Sequence, residues 1–123
     1  GIPHVVELGA SDPVEATASF DVNDNDFSQG APIRIGDFTL NIPGDVTPGG
    51  STALTATAIA AAIDNLPGYA ASAATDTVNI TGRKGVQGNS DLLEVQSFGP
   101  VDNFDALVPF NGGTPALDGP RIS

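Results

Sequence analysis

Three side chains near the start of the chain have a spacing that suits chemistry. Asp21, Asn23 and Asn25 place oxygen donors at alternate positions, as the first three ligands of a helix–loop–helix calcium loop do. The rest of that pattern departs from it: the sixth position is Asp26 where the loop turns on Gly, and the twelfth is Pro32 where a bidentate Glu closes the shell. Asn and Asp also favour turns by hydrogen bonding to their own backbone. Residues 23–30, NDNDFSQG, are therefore predicted as a turn, with a calcium site at Asp21, Asn23 and Asn25 as the alternative.

Other reactive groups are sparse. The single His, His4, stands without other His or Cys near it and reads as a surface residue. Cysteine is absent, which excludes a disulfide frame, thiolate catalysis and a Cys-ligated metal. The fifteen Asp and Glu residues lie in polar surroundings, so none is expected to carry a raised pKa for acid–base work. Gly30, Gly36 and Gly44 are spaced as turn glycines rather than as a phosphate-binding loop opening a helix. The chain is expected not to be an enzyme and to need no cofactor. Arg83-Lys84 is the only basic cluster. It reads as a solvated turn, or as a contact for an acidic patch on a neighbouring subunit.

The elements that position these groups are legible from periodicity. Residues 14–22 alternate apolar and polar, predicting a half-buried strand with Val14, Ala16, Ala18, Phe20 and Val22 on one face. Residues 33–35 and 38–42 flank Gly36-Asp37, a hairpin with a type II′ turn that points Phe38, Leu40 and Ile42 at the core. Ser51 or Thr52 caps a helix over 53–65. Its apolar face holds Ile59, Ala62, Ile63 and Leu66, leaving Ala58, Ala60 and Ala61 on the remaining surface. That smooth, nearly uncharged surface suits a helix lying on its own sheet, and adds the option of a subunit contact on its outer side. Leu66-Pro67-Gly68 ends it. Residues 69–75 and 77–81 form a second β pair around Asp76, with Val78 and Ile80 inward, and 92–98 is the last strand candidate.

Three segments follow: an N-terminal arm over 1–13, an α+β core over 14–98, and a C-terminal extended segment over 99–123. Within the arm, Val5, Val6 and Leu8 make a short extended piece able to pair with a sheet edge. The C-terminal segment carries four prolines but also Phe104, Leu107, Val108 and Phe110, a density of apolar groups that requires docking on the core or on a neighbouring copy. Val5, Val6, Leu8, Arg83, Lys84, Phe104, Leu107 and Phe110 are the candidate subunit contacts. The predicted fold class is α+β: a mainly antiparallel sheet or sandwich of five to seven strands, one helix packed on it, and extended terminal arms.

Composition bounds the partners. The 123 residues are enough for one domain, and 40% are apolar, but Trp and Met are absent and only six Phe and one Tyr supply aromatic volume. A formal net charge of −11 repels phosphate backbones and anionic lipid, so neither nucleic acid nor membrane is an expected partner. No apolar run reaches the roughly 18 residues of a membrane span, and no stretch reads as a signal peptide. Gly1 is the kind of small residue left by removal of an initiator Met; proteolytic trimming gives the same end.

The phrases ATASFDV, IRIGDFTLNI and TATAIAAAIDNLPGYAASAATDTVNITGRKGVQGN, in this order, resemble a module of tailed-bacteriophage virion proteins. The order is similar to that of the inserted domain of contractile tail sheaths of the Mu type, and to segments of other tail and decoration proteins. FNGGTP at residues 110–115 resembles the closing phrase of such modules. The hairpin–helix–strand rhythm is also similar to an insertion motif of flagellins and hook proteins. Such modules carry no catalytic residues, so the resemblance implies a structural function. The expectation is a decoration (cement) protein on the exterior of a phage particle, bridging neighbouring capsid subunits, with other virion proteins and further copies of itself as partners. The alternatives are a tail, baseplate or fibre subunit, a flagellar or extracellular filament segment, and a glycan-binding surface module. A single Tyr and no Trp argue against the last of these.

Overall fold

Strict alternation over EATASFDV makes a strand that can bury one face, and it lies at the middle of the fold. The computed structural model of the protein describes residues 14–84, 87–98 and 100–114; the arm over 1–13 lies outside the described residues. Strand β1 (Glu15–Val22) buries Ala16, Ala18, Phe20 and Val22 and turns Thr17 and Ser19 outward. It is followed by β2 (Ile33–Ile35), β3 (Phe38–Leu40), the helix α1 (Thr52–Asp64), β4 (Ala70–Ala74), β5 (Thr77–Lys84), β6 (Leu93–Val95) and β7 (Phe104–Asn111). The strands form two antiparallel sheets, one ordered β4-β5-β1-β7 and the other β3-β2-β6. The class is α+β.

Local chemistry explains the boundaries. The hairpin of β2 and β3 pairs Ile35 with Phe38 across Gly36-Asp37, and only Gly36 of the two turn residues has positive φ, at +56°, as a type II′ turn requires. Ser51 is extended, and its hydroxyl accepts the Leu54 amide at 3.2 Å, which caps α1. The helix packs on β4, β5 and β1. It buries Ala56, Ile59, Ala60 and Ile63, an i, i+3, i+4, i+7 stripe. Ala60, expected on the outer surface, therefore faces the sheet, while Leu54, Thr57 and Ala61 are exposed. Ile33, Ile35, Leu40 and Leu93 from the second sheet join Phe20, Val78, Ile80 and the helix in one apolar cluster.

The structure departs from the sequence expectations at several points. Val14 is 51% exposed: it stands before the start of β1, where among the described residues it makes an isolated bridge to Thr114. The strand expected over 92–98 is reduced to Leu93–Val95, leaving Leu92 and Phe98 exposed. Strand β5 runs through Arg83 and Lys84, so the basic cluster ends a strand paired to Glu15 instead of forming a turn. Phe27, inside the predicted turn over 23–30, is buried against Phe104 with ring centroids 5.9 Å apart.

The described part of the C-terminal segment is a strand of the main sheet. Along β7 the pairing with β1 slips twice, three β7 steps spanning two β1 steps between Asp105 and Val108 and again between Val108 and Asn111. Each slip is a bulge, one containing Ala106 at φ +53° and the other Pro109. The bulges let Phe104 and Phe110 both point inward while Val108 faces out.

Candidate functional site

The three residues with calcium-loop spacing do not converge. Asp21 accepts from the Thr77 hydroxyl at 2.6 Å. Asn23 donates to the Asp102 carbonyl at 2.9 Å. The Asn25 amide donates to the Gly49 carbonyl at 2.9 Å and accepts from the buried Thr55 hydroxyl, which in turn accepts from the Gly49 amide at 2.9 Å. Their oxygens and amides clasp loops together instead of framing a common centre. Among the described residues no group of three or more His, Asp or Glu gathers as metal ligands.

The subunit-contact candidates divide in three ways. Val5, Val6 and Leu8, like His4, lie outside the described residues, as does the side chain of Lys84. Phe104 and Phe110, at 5% and 4% exposure, are already used inside the subunit. Phe104 meets Phe20 edge-on at 5.4 Å, and Phe110 lies against Tyr69 at 5.9 Å. Leu107 remains available at 41% exposure, beside Val108 at 46%. Arg83 is exposed, but its charge is paired within the chain: Nε donates to Asp91 at 3.0 Å, and Nη2 donates both to the other Asp91 oxygen and to the Gln87 carbonyl.

Two features of the surface were not foreseen. The first is a junction on Tyr69, the only tyrosine. Its ring meets Phe38 edge-on at 6.5 Å and Phe110 at 5.9 Å, and its hydroxyl donates to Asp91 at 3.1 Å. Burial, and then the hydrogen bond and charge of Asp91, push the Tyr69 phenol up to about 12. Gly36 is required here on two counts: its φ is positive, and a Cβ would overlap the Tyr69 hydroxyl. The junction thus ties the β2–β3 turn, β4, β5 and β7 together. Around it the Gly36-Asp37 and Pro67-Gly68 turns, with Phe38, Tyr69, Arg83 and Asp91, line a cleft of about 260 Å³.

The second feature is the outer face of the four-stranded sheet. Its register sets out two adjacent rows across all four strands: Ser72–Asn79–Ser19–Val108, and Ala70–Thr81–Thr17–Asn111. None of these eight side chains is charged, and all are short. Six of them line a shallow concavity of about 410 Å³. The next row, Ala74–Thr77–Asp21–Asp105, brings back carboxylates. In a chain with fifteen carboxylates, this stretch of the sheet face carries only short hydroxyl, amide and aliphatic side chains, with Leu107 and Val108 exposed on β7 beside it. The signal for it was present in the outward positions of β1 and β5, but the rows exist only once the register is known.

No family model matches the chain, and no curated protein matches it.

Proposed function

We propose that this chain is a structural subunit of a tailed-phage particle, and specifically a decoration protein on the exterior of the capsid that bridges neighbouring capsid subunits. The observation that carries the reading is the uncharged double row on the outer sheet face, with Leu107 and Val108 exposed along the edge strand β7. Isolated sheets that face water usually carry charge on that side, which also blocks unwanted pairing. Here the charge is confined to the ends of the face, at Glu15, Asp21 and Asp105, and the uncharged rows between them offer a shallow contact surface to a partner layer. Among the described residues no further strand pairs with the outer edges of β4 and β7, which adds a route for strand addition by a partner segment. The order of hairpin, alanine-rich helix and strand supports the phage assignment through its resemblance to virion modules. The negative net charge suits a surface that faces solvent, away from packaged DNA.

Val108→Asp places a carboxylate in the middle of the face at a half-exposed position, so the isolated domain should keep its melting temperature. Its occupancy on particles should fall at least tenfold, read by quantitative gel analysis of purified virions. Full occupancy by the folded variant would refute the reading. Imaging of intact particles separates the capsid site from a tail, baseplate or fibre position, which is the second reading that the same bare face supports.

A further inference from the structure

We propose that Asn111 is a self-modifying site, whose side-chain amide cyclises onto the Gly112 nitrogen and is hydrolysed to a carboxylate on the outer sheet face. Asn111-Gly112 is the only Asn-Gly pair in the chain; every other Asn precedes Asp, Ile, Leu, Ser or Phe. The reaction needs the backbone nitrogen of the following residue to reach the side-chain carbonyl carbon, Cγ. A Cβ on that residue obstructs the approach and narrows the φ/ψ range that allows it, and glycine does neither. Here the glycine stands at φ +79°, with open space where a Cβ would lie. Asn111 itself is exposed, and it is the last residue of β7, beyond the bulge that contains Pro109.

The step balances with water as its sole co-reactant. The Gly112 nitrogen attacks Cγ, a Cγ–N bond forms, and the Cγ–Nδ2 bond breaks. Ammonia leaves with the proton that Gly112 gives up. Water then opens the cyclic imide. Attack at Cγ restores the ordinary chain with an aspartyl side chain. Attack at the α-carbonyl carbon leaves the chain running through Cβ and Cγ, the isoaspartyl form. Either way NH2 is exchanged for OH, which ionises at neutral pH.

The surroundings give the product a consequence. Nδ2 of Asn111 donates to the Pro109 carbonyl at 2.8 Å and to the Thr17 carbonyl at 3.4 Å, which clasps the end of β7 to β1. A carboxylate has no proton to donate and sets its charge against the same two oxygens. The isoaspartyl form also adds a carbon to the backbone just ahead of Gly113 and Thr114, which are held by Asn89 and by the bridge to Val14. Asn111 ends the row Ala70–Thr81–Thr17–Asn111, so the reaction brings charge into the uncharged part of the face. Free subunits would thus lose their fitness to dock as they age. The chemistry stands on the isolated chain; only its effect on docking rests on the assembly reading.

The folded protein is incubated at mildly alkaline pH beside the same chain unfolded in urea. Both are sampled over time by peptide mass mapping and by enzymatic methylation of isoaspartyl residues. In the folded protein Asn111 should convert ahead of every other Asn, giving aspartyl and isoaspartyl products together. Asn111→Gln, whose longer side chain closes a larger ring far more slowly, should abolish the early conversion. Asn111 left intact in the folded protein after the unfolded chain has converted there overturns the proposal. So does earlier conversion at another Asn, or an aspartyl product alone, which would mean direct hydrolysis. Asn111→Asp, which imitates one product, should lower the melting temperature and reduce occupancy on particles severalfold. Full occupancy by this variant would overturn the effect on docking and leave the chemistry standing.

Discussion

Gly36→Ala should be among the most damaging single-methyl substitutions in this chain, and its cost can be worked out in parts. A non-glycine residue held at φ +56° costs about 1–2 kcal/mol. The added methyl also overlaps the Tyr69 hydroxyl, with the ring carbon that bears it only 3.2 Å away. The ring must shift, and the hydrogen bond from the phenol to the ionised Asp91 is lost, a further cost of about 1.5–3 kcal/mol. The sum is about 2.5–5 kcal/mol, a large share of the roughly 5–15 kcal/mol that holds a domain folded. For a chain of this size it lowers the melting temperature by roughly 10–20 °C. Tyr69→Phe separates the two parts. It should cost about 1.5–3 kcal/mol on its own, by removing the same hydrogen bond. In its background Gly36→Ala should cost the backbone term, about 1–2 kcal/mol, plus a smaller misfit against the ring carbon that still lies 3.2 Å from the new methyl. Thermal unfolding followed by circular dichroism, applied to both single variants and the double variant, therefore should show non-additivity of about 1.5–3 kcal/mol. Costs that simply add would mean that the methyl and the hydroxyl do not compete for one space, and the account of the junction would fail.

Other perturbations test the remaining clasps. Because burial and Asp91 raise Tyr69 to about 12, the folded state favours the neutral phenol; the stabilisation is fully present below pH 10 and is lost as pH rises towards 12. With one tyrosine in the chain, the phenolate absorbance should titrate as a single curve near 12, and a midpoint near 10 would show the group to be open to water. Thr55→Val keeps the shape of a buried side chain but leaves the Gly49 amide and the Asn25 carbonyl without partners, and should cost about 1–3 kcal/mol in urea unfolding. Gly82→Ala sets a methyl 2.7 Å from the Phe110 ring, and should cost about 1–3 kcal/mol if β7 is locked to its own sheet; a neutral result would show β7 free to yield. Calcium at millimolar excess should leave the melting temperature unchanged, since Asp21, Asn23 and Asn25 point to separate partners.

What the sequence made legible was whatever depends on near neighbours. The β2–β3 turn was readable because Gly36-Asp37 sits between two alternating runs, and the start of α1 because Ser51 precedes an uninterrupted alanine-rich stretch. The alternation of β1 fixed its buried face from Ala16 to Val22. Strand β7 was not readable. Its two bulges break the period of two, and Pro109, which argues against a central strand, is tolerated because β7 lies at an edge. Phe27 was hidden among turn residues, and its burial follows only from Phe104 folding back beside it. The Tyr69 junction was out of reach for the same reason. Its partners Gly36, Asp91 and Phe110 come from three other parts of the chain, and nothing local to Tyr69 marks them.

The two surface features also bear on each other. A subunit that is to cover a larger particle needs a rigid face, since ordering a soft one on contact costs binding free energy. The four strands of the outer sheet face are held from behind by α1 on one half and by Phe104 and Phe110 on the other. Tyr69 fixes the second of these supports, because it packs on Phe110 while anchored through Asp91 to Arg83 at the end of β5. Loosening Tyr69 should thus be felt at Val108, which sits two residues before Phe110 on the same strand. Tyr69→Phe should reduce occupancy on particles by more than its loss of global stability accounts for, whereas Thr55→Val, with a similar stability cost behind the other half of the sheet, should not. Equal loss from the two variants at matched stability would mean that occupancy follows overall folding, and that the junction has no special hold on the β7 edge.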